Sequence, residues 1–309
     1  HKNGALSFYD MYSEFGLALG TNPRIKDEEL NRLSVAILPL PNGEFYHYGT
    51  SKELISSTLA VQNLVIDQRE IMLHKVKPHP AMFVQNSDIS YKLTSENSEI
   101  WIENSCVNKD WKLHQQTIVT GVPNNDWALN IPSGVCVDVV PIGESGYVAR
   151  PYGFHDAFKG ELGACDTRFM GRIFVDWALE RELSISMIGE KTDLQAARIF
   201  PVTDNVDELG HILRWMISEP HFIQGKVLWE KCEKISADEI STFANLRRLA
   251  NQRNEYRNGN WGALAKNYSQ SVFYQLNLDD AARQFVNNEL PVHEAIDCSA
   301  HLMTRISDH

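Results

Sequence analysis

The sequence contains no long hydrophobic run. No apolar stretch reaches the roughly 18 residues that a helix needs to cross a bilayer. The N-terminus also lacks the basic-then-apolar order of a secretory signal peptide. These absences argue against membrane insertion and secretion, and they predict a soluble, cytoplasmic protein with no membrane partner.

Cysteine is sparse and follows no pattern. The five cysteines are an odd number, lie far apart and include no C-x-x-C pair. Neither a disulfide framework nor a zinc site is therefore indicated, because both need paired, suitably spaced thiols. This usage agrees with a reducing compartment.

Positive charge is in deficit. The chain has 29 Lys and Arg against 40 Asp and Glu, a formal net charge of -11, and a pI near 5.5. Nucleic acid and anionic lipid would both repel such a chain as a whole. We therefore predict no nucleic-acid partner.

The common catalytic motifs are missing as well. The chain contains no G-x-x-x-x-G-K-[ST], G-x-G-x-x-G, G-x-S-x-G or H-E-x-x-H. Phosphate-binding loops, nucleophile elbows and zincin helices depend on these patterns, and the histidines show no metal-ligand spacing. We predict no catalytic residue, no metal ligand and no cofactor within this chain.

A short repeat lies in the first half of the chain. Val84–Ile89 returns with similar residues as Ile102–Val107, 18 positions later. That length supplies three sides of about six residues, which make one turn of a triangular parallel β-helix with apolar side chains in its shaft. The repeat predicts a solenoid, which is more often a scaffold than a catalyst.

Short β-rich runs continue the pattern to about residue 140. The steps between them are 23, 18, 17 and 12 positions, so we expect a loop at 75–80 in the first step and less regular coils at the end. An antiparallel sandwich has the same density of strands and remains an alternative. The runs are Val61–Ile66, Ala81–Val84, Glu99–Ile102, Thr117–Val122 and Ile131–Val137.

Asparagine occupies matched positions in three of these runs. Asn63, Asn86 and Asn104 follow the apolar residues in the same way. Side-chain amides at one turn of successive coils can stack as a hydrogen-bonded ladder, whereas the simpler interpretation is three unrelated turn residues.

Before the β-rich region, the pattern is strand, turn and helix. Leu33–Leu40 and Glu44–Tyr48 predict two strands around the turn at 41–43. The capping-box pattern Thr50–Glu53 predicts a helix that begins at Ser51.

After residue 204 the sequence is helical. Asn205 is expected to cap one amphipathic helix, and a capping box at Ser236 to open a long helix that ends near Arg257. Further helices are predicted at Asp279–Asn288 and from Val292 onward.

Some local segments bear on binding. Phe45–Thr50 ends in Gly-Thr before a capped helix, whose free first-turn amides suit a phosphate or a sugar. Tyr152–Gly160 mixes aromatics, a carboxylate and a lysine, and is either a binding loop or a structural turn.

Four arginines lie on one predicted helix: Arg247, Arg248, Arg253 and Arg257. They form either an anion-binding strip or a solvated face, and we prefer the solvated face. The seven tryptophans are assigned to packing.

Five segments together resemble one family. Tyr9–Ser13, Phe45–Glu53, Trp101–Ser105, Thr120–Pro123 and Pro132–Pro141 look like the bacterial bifunctional L-fucokinase/L-fucose-1-phosphate guanylyltransferases, and the resemblance covers nearly the whole chain. In that family a nucleotidyltransferase domain makes GDP-fucose from GTP and fucose 1-phosphate. A β-helix and a helical linker follow, and a GHMP-type kinase supplies the fucose 1-phosphate.

The resemblance implies a central fragment with mixed β and α structure. Residues 1–60 would be the tail of an α/β nucleotidyltransferase domain, 61–203 a single-stranded parallel β-helix, predicted as left-handed, and 204–309 an α-helical linker. An N-terminal His1 and a helical pattern without a stop at 300–309 also suggest a piece of a longer protein.

The family's main catalytic loops are absent from the sequence. The resemblance therefore implies an inactive scaffold whose partners are the flanking catalytic domains, with self-association through the β-helix flank. Mg²⁺ with GTP and ATP is implied for the parent enzyme only.

Phe45–Thr50 resembles the W-x-D-x-G-T segment of the sugar pocket in related nucleotidyltransferases. The resemblance implies substrate-binding roles for Gly49 and Thr50, with His47 and Lys52 beside them. His47 replaces the motif's aspartate, so no metal role is assigned there. The rival hypothesis is a free-standing β-helix acyltransferase or sugar-binding module, for which His114 is the histidine between predicted coils.

Overall fold

The computed structural model describes residues 10–63, 81–94 and 97–268. They belong to two compact units, one up to Tyr46 and one from His47. The loop expected at 75–80 and the helices expected at 279–288 and from 292 onward lie outside the described residues.

The first unit contains three short helical turns. Asp10 caps the first of them, because its carboxylate accepts the amides of Tyr12 and Ser13 at 2.8 and 2.6 Å. The turns are a π-helical one at Met11–Phe15 and two 3₁₀ ones at Gly16–Ala18 and Leu30–Arg32.

The predicted strands at Leu33–Leu40 and Glu44–Tyr48 are wrong. Neither segment pairs with a strand among the described residues, and Ile37 is 89% exposed. Only the turn between them forms, with Asn42 at φ +60°. An apolar run forms a strand only where a ladder partner satisfies its backbone groups.

Three turns of a parallel β-solenoid form the centre of the second unit. On one side, Val84 pairs with Ile102, Ile102 with Val119 and Val119 with Val137. The other two sides pair Asp88 with Cys106 and Lys112 with Asn130. The strands are β1 (Met82–Gln85), β2 (Asp88–Ile89), β3 (Ile100–Glu103), β4 (Cys106–Val107), β5 (Lys112–Leu113), β6 (Thr117–Thr120), β7 (Asn130–Ile131) and β8 (Val135–Ile142).

The 18-residue repeat is therefore the coil itself, which confirms the solenoid. The parallel pairing excludes the sandwich for residues 82–142. The expected 12-position step between the last two β-rich runs is wrong, because Ile131 and Val135 belong to different sides of the solenoid. Ile131 pairs with Leu113, and Val135 begins the next coil. The handedness stays a prediction.

The repeated asparagine marks a corner of the coil. Asn86 and Asn104 have φ values of +45° and +52°, and Gly121 takes the third corner at +69°. Asparagine and glycine tolerate this left-handed backbone best. The predicted ladder of side-chain amides is wrong. The side-chain amide of Asn104 donates instead to the backbone oxygen of Leu249 at 3.2 Å, and Asn63 lies at the end of a helix.

The ladder that does exist is made of serines. Ser87 and Ser105 follow the corner asparagines and are buried. Ser87 Oγ accepts the amide of Ser105 at 3.1 Å, and Ser105 Oγ accepts the amide of Val122 at 3.2 Å. Each hydroxyl thus satisfies a backbone donor of the next coil.

Antiparallel strands extend one side of the solenoid. β9 folds back on β8 along its whole length, β12 pairs with β9, and β13 pairs with β12 at the edge of a seven-stranded sheet. The parallel coils end at Ile142, whereas the predicted β-helix range extends to residue 203. The strands are β9 (Gly146–Gly153), β10 (Arg168–Phe169), β11 (Arg172–Ile173), β12 (Phe200–Thr203) and β13 (Glu233–Ile235).

Seven helices are described in the second unit. The first begins at Ser51 as predicted, but it continues through Val61, where a strand was expected. Asn205 caps α4 and Ser236 forms a complete capping box at α6, as predicted. The helices are α1 (Ser51–Asn63), α2 (Phe174–Glu180), α3 (Ile185–Ile188), α4 (Val206–Ile217), α5 (Ile223–Lys231), α6 (Ala237–Phe243) and α7 (Leu246–Tyr268).

The predicted single helix from Ser236 to Arg257 is wrong, because Asn245 interrupts it. The backbone amide of Asn245 donates to the Pro141 oxygen at 2.7 Å, and the side-chain oxygen of Asn245 accepts the backbone amide of Arg248 at 3.1 Å. A contact with the end of β8 therefore stops α6 and caps a new helix, which runs on to Tyr268.

Two apolar layers cover the two faces of the main sheet. The inner layer fills the coils with side chains such as Ile102 and Val137 and continues into the helices around Trp177 and Trp215. The outer layer packs Ile55 of α1 on the sheet. The six tryptophans with described side chains are at most 7% exposed, which confirms their packing role.

No helix in the described part of the chain combines the length and apolarity that a membrane span needs.

Candidate functional site

A cavity of about 570 Å³ lies between the start of α1 and the end of β9. Gly49, Thr50 and Lys52 line it, which are three of the four predicted substrate-binding residues. The opposite wall is residues 152–158, the start of the aromatic segment that the sequence singled out, together with Arg150. Two segments about a hundred positions apart in the sequence therefore meet in one cavity.

The α1 wall is ordered by a network around Glu53. Thr50 Oγ1 accepts the Glu53 amide at 3.2 Å, which confirms the predicted cap. Glu53 Oε2 accepts the Gly49 amide and the Thr50 hydroxyl, each at 3.1 Å. Burial acts to raise the pKa of Glu53, but hydrogen bonds from Thr50 and His47 outweigh it and hold that pKa below its usual value.

His47 lies outside the cavity wall. Its Nδ1 is 2.9 Å from Glu53 Oε2, and its ring packs so closely on Gly49 that a Cβ there would lie 2.1 Å from Cε1. A side chain at this position would have to displace the His47 ring. His47 therefore contacts the capping network and the glycine, and its predicted substrate role stays a prediction.

The β9 wall is built around an ion pair. Arg150 and Asp138 are direct partners in the β8–β9 ladder, with Nη2 2.5 Å from Oδ2. The Thr120 hydroxyl donates to Asp138 Oδ1 at 2.7 Å, and the Tyr152 hydroxyl lies 3.4 Å from the same oxygen. The carboxylate is held from three directions.

The ion pair changes the acidity of its neighbours. Burial acts to lower the pKa of Arg150, but Asp138 outweighs it and the pKa is raised. Burial and the Asp138 charge raise the pKa of Tyr152 well above its usual value. Arg150 is therefore a permanent cation in this wall, and Tyr152 a neutral phenol.

The rest of this wall is a loop closed by Asp156. Its Oδ2 accepts the Gly171 amide at 2.9 Å, and the carboxylate packs where a Cβ at Gly153 would lie, 2.0 Å from Oδ2. His155 Nε2 is 3.3 Å from Gln116 Oε1. The loop is therefore fixed on the solenoid.

Sequence reasoning did not identify Arg150 or Asp138. A signal was present: each is a single charge in an otherwise apolar strand, and each stands six positions from Glu144 in the turn. A hairpin centred on Glu144 places them opposite each other.

The other candidate residues lie elsewhere. The four arginines of α7 do not act as one strip, since the Arg248 guanidinium donates to backbone oxygens of the β8–β9 turn. His114 is exposed beside a separate cavity of about 380 Å³. Within the described ranges, no three metal-ligating side chains come together.

The family described as "Fucose pyrophosphorylase domain" matches residues 25–205, more than half of the chain and both walls of the cavity. The chain belongs to the fucose pyrophosphorylase family. A Bacteroides fragilis member named "L-fucokinase/L-fucose-1-P guanylyltransferase" is 57% identical over 309 residues, which is 99% of this chain. The chain spans 33% of the length of that relative. No solved structure matches the chain.

Proposed function

We propose that this chain is the central part of an enzyme that makes GDP-L-fucose from L-fucose 1-phosphate and GTP. The supporting observation is that the family match covers both walls of the 570 Å³ cavity, where Gly49, Thr50 and Lys52 meet the β9 wall. As in the 57% identical relative, a fucokinase would belong to the same longer polypeptide.

In the proposed reaction, a phosphate oxygen of fucose 1-phosphate attacks the α-phosphorus of GTP in line, and pyrophosphate leaves. Such a transfer depends mainly on positioning and on neutralising charge. In this chain the free amides at the first turn of α1 and the Lys52 ammonium would hold an anionic or hydroxyl group of the substrate. Thr50 and Glu53 would keep that turn in place.

Mg²⁺ accompanies GTP and ATP in this proposal. The described residues do not fit a resident metal, because no three ligating side chains cluster and Asp156 accepts a backbone amide. We therefore assign Mg²⁺ to the nucleotides and the flanking catalytic domains, and no step in this chain passes through it.

The solenoid would serve as the brace. Its coils present the outer face of one side to α1 and a corner to α7, so it can hold a catalytic domain at one side and space a second at the other. This chain would then be a scaffold with one wall of the substrate site, and inactive alone. Self-association through the coil flank remains part of the proposal.

The acyltransferase hypothesis has weaker support. The solenoid fold suits both functions, and His114 is exposed as an edge histidine requires. The family match and the cavity beside Gly49 favour guanylyl transfer instead. Stabilisation of the chain by acetyl-CoA in a thermal shift would reverse this preference.

A chimaera tests the proposal. This chain would replace the matching third of the Bacteroides fragilis relative, and GDP-fucose formed from GTP and fucose 1-phosphate would be measured by mass spectrometry. We expect activity in the chimaera and none in the 309-residue chain. GDP-fucose made by the chain alone, or a folded but inactive chimaera, would contradict the proposal.

A substitution in the chimaera tests the wall residue. Lys52→Ala should raise the KM for fucose 1-phosphate roughly tenfold, since it removes one charge-assisted contact. Lys109→Ala is the control, because Lys109 is an exposed lysine paired with its neighbour Asp110 and lies outside the cavity wall. An equal effect of both variants would refute a binding role for Lys52.

A further inference from the structure

Arg150 has more hydrogen-bond donors than its protein partners use. A guanidinium carries five N–H donors in a planar fork. Among the described residues Arg150 makes one hydrogen bond, from Nη2 to Asp138, and its buried Nε has no partner there. The side chain is 32% exposed and lines the 570 Å³ cavity. Because the side chain is partly exposed in the cavity wall, the guanidinium donors that Asp138 does not use can serve a ligand there.

The guanidinium is also fixed before any ligand arrives. It lies 5.4 Å from the centre of the Tyr152 ring and 5.9 Å from that of Phe158. Asp138, 10% exposed, anchors it from behind and is itself held by Thr120. A fixed arginine loses little freedom on binding, so its remaining donors favour a planar or tetrahedral oxyanion.

A second cation faces the same space from the α1 wall. Lys52 lines the cavity beside Ser51, in the first turn of a 13-residue helix whose amides point out of its N-terminus. Lys52 and Arg150 thus bring two positive charges to one cavity in a chain with a net charge of -11. A phosphate monoester, which carries close to two negative charges, complements that pair.

The remaining groups suit a sugar attached to that phosphate. Asp156 accepts the Gly171 amide through Oδ2 only, so Oδ1 can accept a hydroxyl. Tyr152 and Phe158 supply aromatic surface for the apolar face of a ring. A carboxylate in the wall also disfavours bare phosphate, because it repels an anion that brings no hydroxyl.

We infer that Arg150, with Lys52, binds the phosphate of a phosphorylated sugar in this cavity, while Asp156 accepts one of its hydroxyls. The inference rests on the proposed function and deepens it, because it adds a residue of the solenoid sheet to the substrate site. The solenoid is then part of the binding site as well as a brace.

The test needs a variant that folds. Arg150→Gln alone would leave the Asp138 carboxylate buried without its cation, which is destabilising. The double variant D138N/R150Q replaces both charged side chains with neutral amides, which can still form hydrogen bonds. The matched control is R214Q/E219Q, which removes an arginine–glutamate pair outside this cavity, 2.7 Å apart and more exposed.

Calorimetric titration of the 309-residue chain with L-fucose 1-phosphate is the measurement. Inorganic phosphate, L-fucose and GTP are the comparison ligands. We expect fucose 1-phosphate to bind most tightly, D138N/R150Q to weaken its binding by roughly tenfold to a hundredfold, and R214Q/E219Q to leave it unchanged. The affinity for L-fucose should be equal in all three proteins, because it has no phosphate.

Several results would overturn the inference. They are an absence of fucose 1-phosphate binding by the parent chain, tighter binding of GTP or of inorganic phosphate, and unchanged binding by D138N/R150Q with an unchanged circular dichroism spectrum. Equal losses in the two double variants would do the same. The proposed function fails separately: an inactive chimaera with Arg150-dependent sugar-phosphate binding would remove guanylyl transfer and leave this site.

Discussion

Two helices pack on the same solenoid by different means. α1 packs through apolar side chains: Ile55, 1% exposed, lies in a cluster with Phe83, Trp101 and Ile118 on the outer face of the coils. α7 packs through polar side chains, and its Leu246 is 70% exposed. One helix is held by buried area and the other by hydrogen bonds.

The α7 contacts are made to backbone oxygens. Gln252 Nε2 donates to the oxygens of Asn104 and Gly121, both at 2.9 Å. The Tyr256 hydroxyl donates to the Val122 oxygen at 3.2 Å. The oxygens of Asn104 and Gly121 belong to the left-handed corners themselves. The Val122 oxygen follows the second corner and also accepts the Cys106 amide at 2.9 Å.

The difference concerns what each interface specifies. Burial of apolar area is not directional, so α1 could shift along the coils at modest cost. Hydrogen bonds to corner carbonyls are directional, so the α7 contacts fix the position of the helix along the stack. They also stabilise less, since an exposed hydrogen bond exchanges with water. We therefore expect α1 substitutions to cost more and α7 substitutions to loosen one helix.

The largest expected effect is at the apolar interface. Ile55→Ala removes a fully buried side chain from α1 and should lower the free energy of unfolding by about 2–5 kcal/mol. Urea unfolding followed by tryptophan fluorescence measures it. The control is Ser56→Ala, on the exposed face of the same helix. A loss below about 0.5 kcal/mol, the range of surface changes, would mean that α1 is not held by this cluster.

The next effect is at the corner beneath α7. Gly121→Ala places a Cβ 2.1 Å from the Val139 oxygen and strains a residue at φ +69°, so we expect a loss of about 2–4 kcal/mol. Gly134→Ala is the matched control, because its φ is +79° with no atom within 4 Å. It should cost about 1 kcal/mol of strain. Equal losses would show that the corner has room.

A smaller effect is expected at the polar interface. Arg248→Ala removes donors to the oxygens of Ile142, Ser145 and Gly146. It should cost about 1.5 kcal/mol, the low end for a charged donor, since the side chain is only partly buried. Hydrogen exchange should rise in α7 and not in α1. Arg247→Ala, its exposed neighbour, should change neither, and faster exchange throughout the protein in R248A would contradict local docking.

The coils could be predicted because their signal is local. The 18-residue step is visible in one pair of segments, and the parallel register repeats it from Val84 to Ile102. The role of Asn104 could not be predicted, because an amide ladder and a left-handed corner both favour asparagine. Only the backbone angle, φ +52°, separates them.

The cavity and the α6–α7 break could not be predicted, because both depend on distant partners. Gly49 and Arg150 meet only once the β8–β9 hairpin and the docking of α1 are known. Asn245 ends α6 because the Pro141 oxygen accepts its amide, and a capping preference alone does not reveal such a partner.

The smallest expected effect concerns pH and again compares the two helices. Burial raises the pKa of Tyr256, with negative neighbours adding to the shift. The pKa of Tyr256 in the folded chain therefore exceeds its unfolded value of about 10. Between these two pKa values only the unfolded chain ionises. The contribution of Tyr256 to the free energy of unfolding is thus complete below about pH 10 and is lost as the pH rises toward the folded pKa. Tyr152, on the α1 side, also has a raised pKa, so its contribution is lost in the same direction of pH.

Tyr256→Phe should cost about 1 kcal/mol at pH 7 and make the decline of the free energy of unfolding between about pH 9.5 and 11 shallower. Tyr152→Phe should flatten the same decline without increasing hydrogen exchange in α7. If Tyr256→Phe left the slope unchanged in urea unfolding, the hydroxyl would titrate freely in the folded chain, and the contact with Val122 would not hold α7.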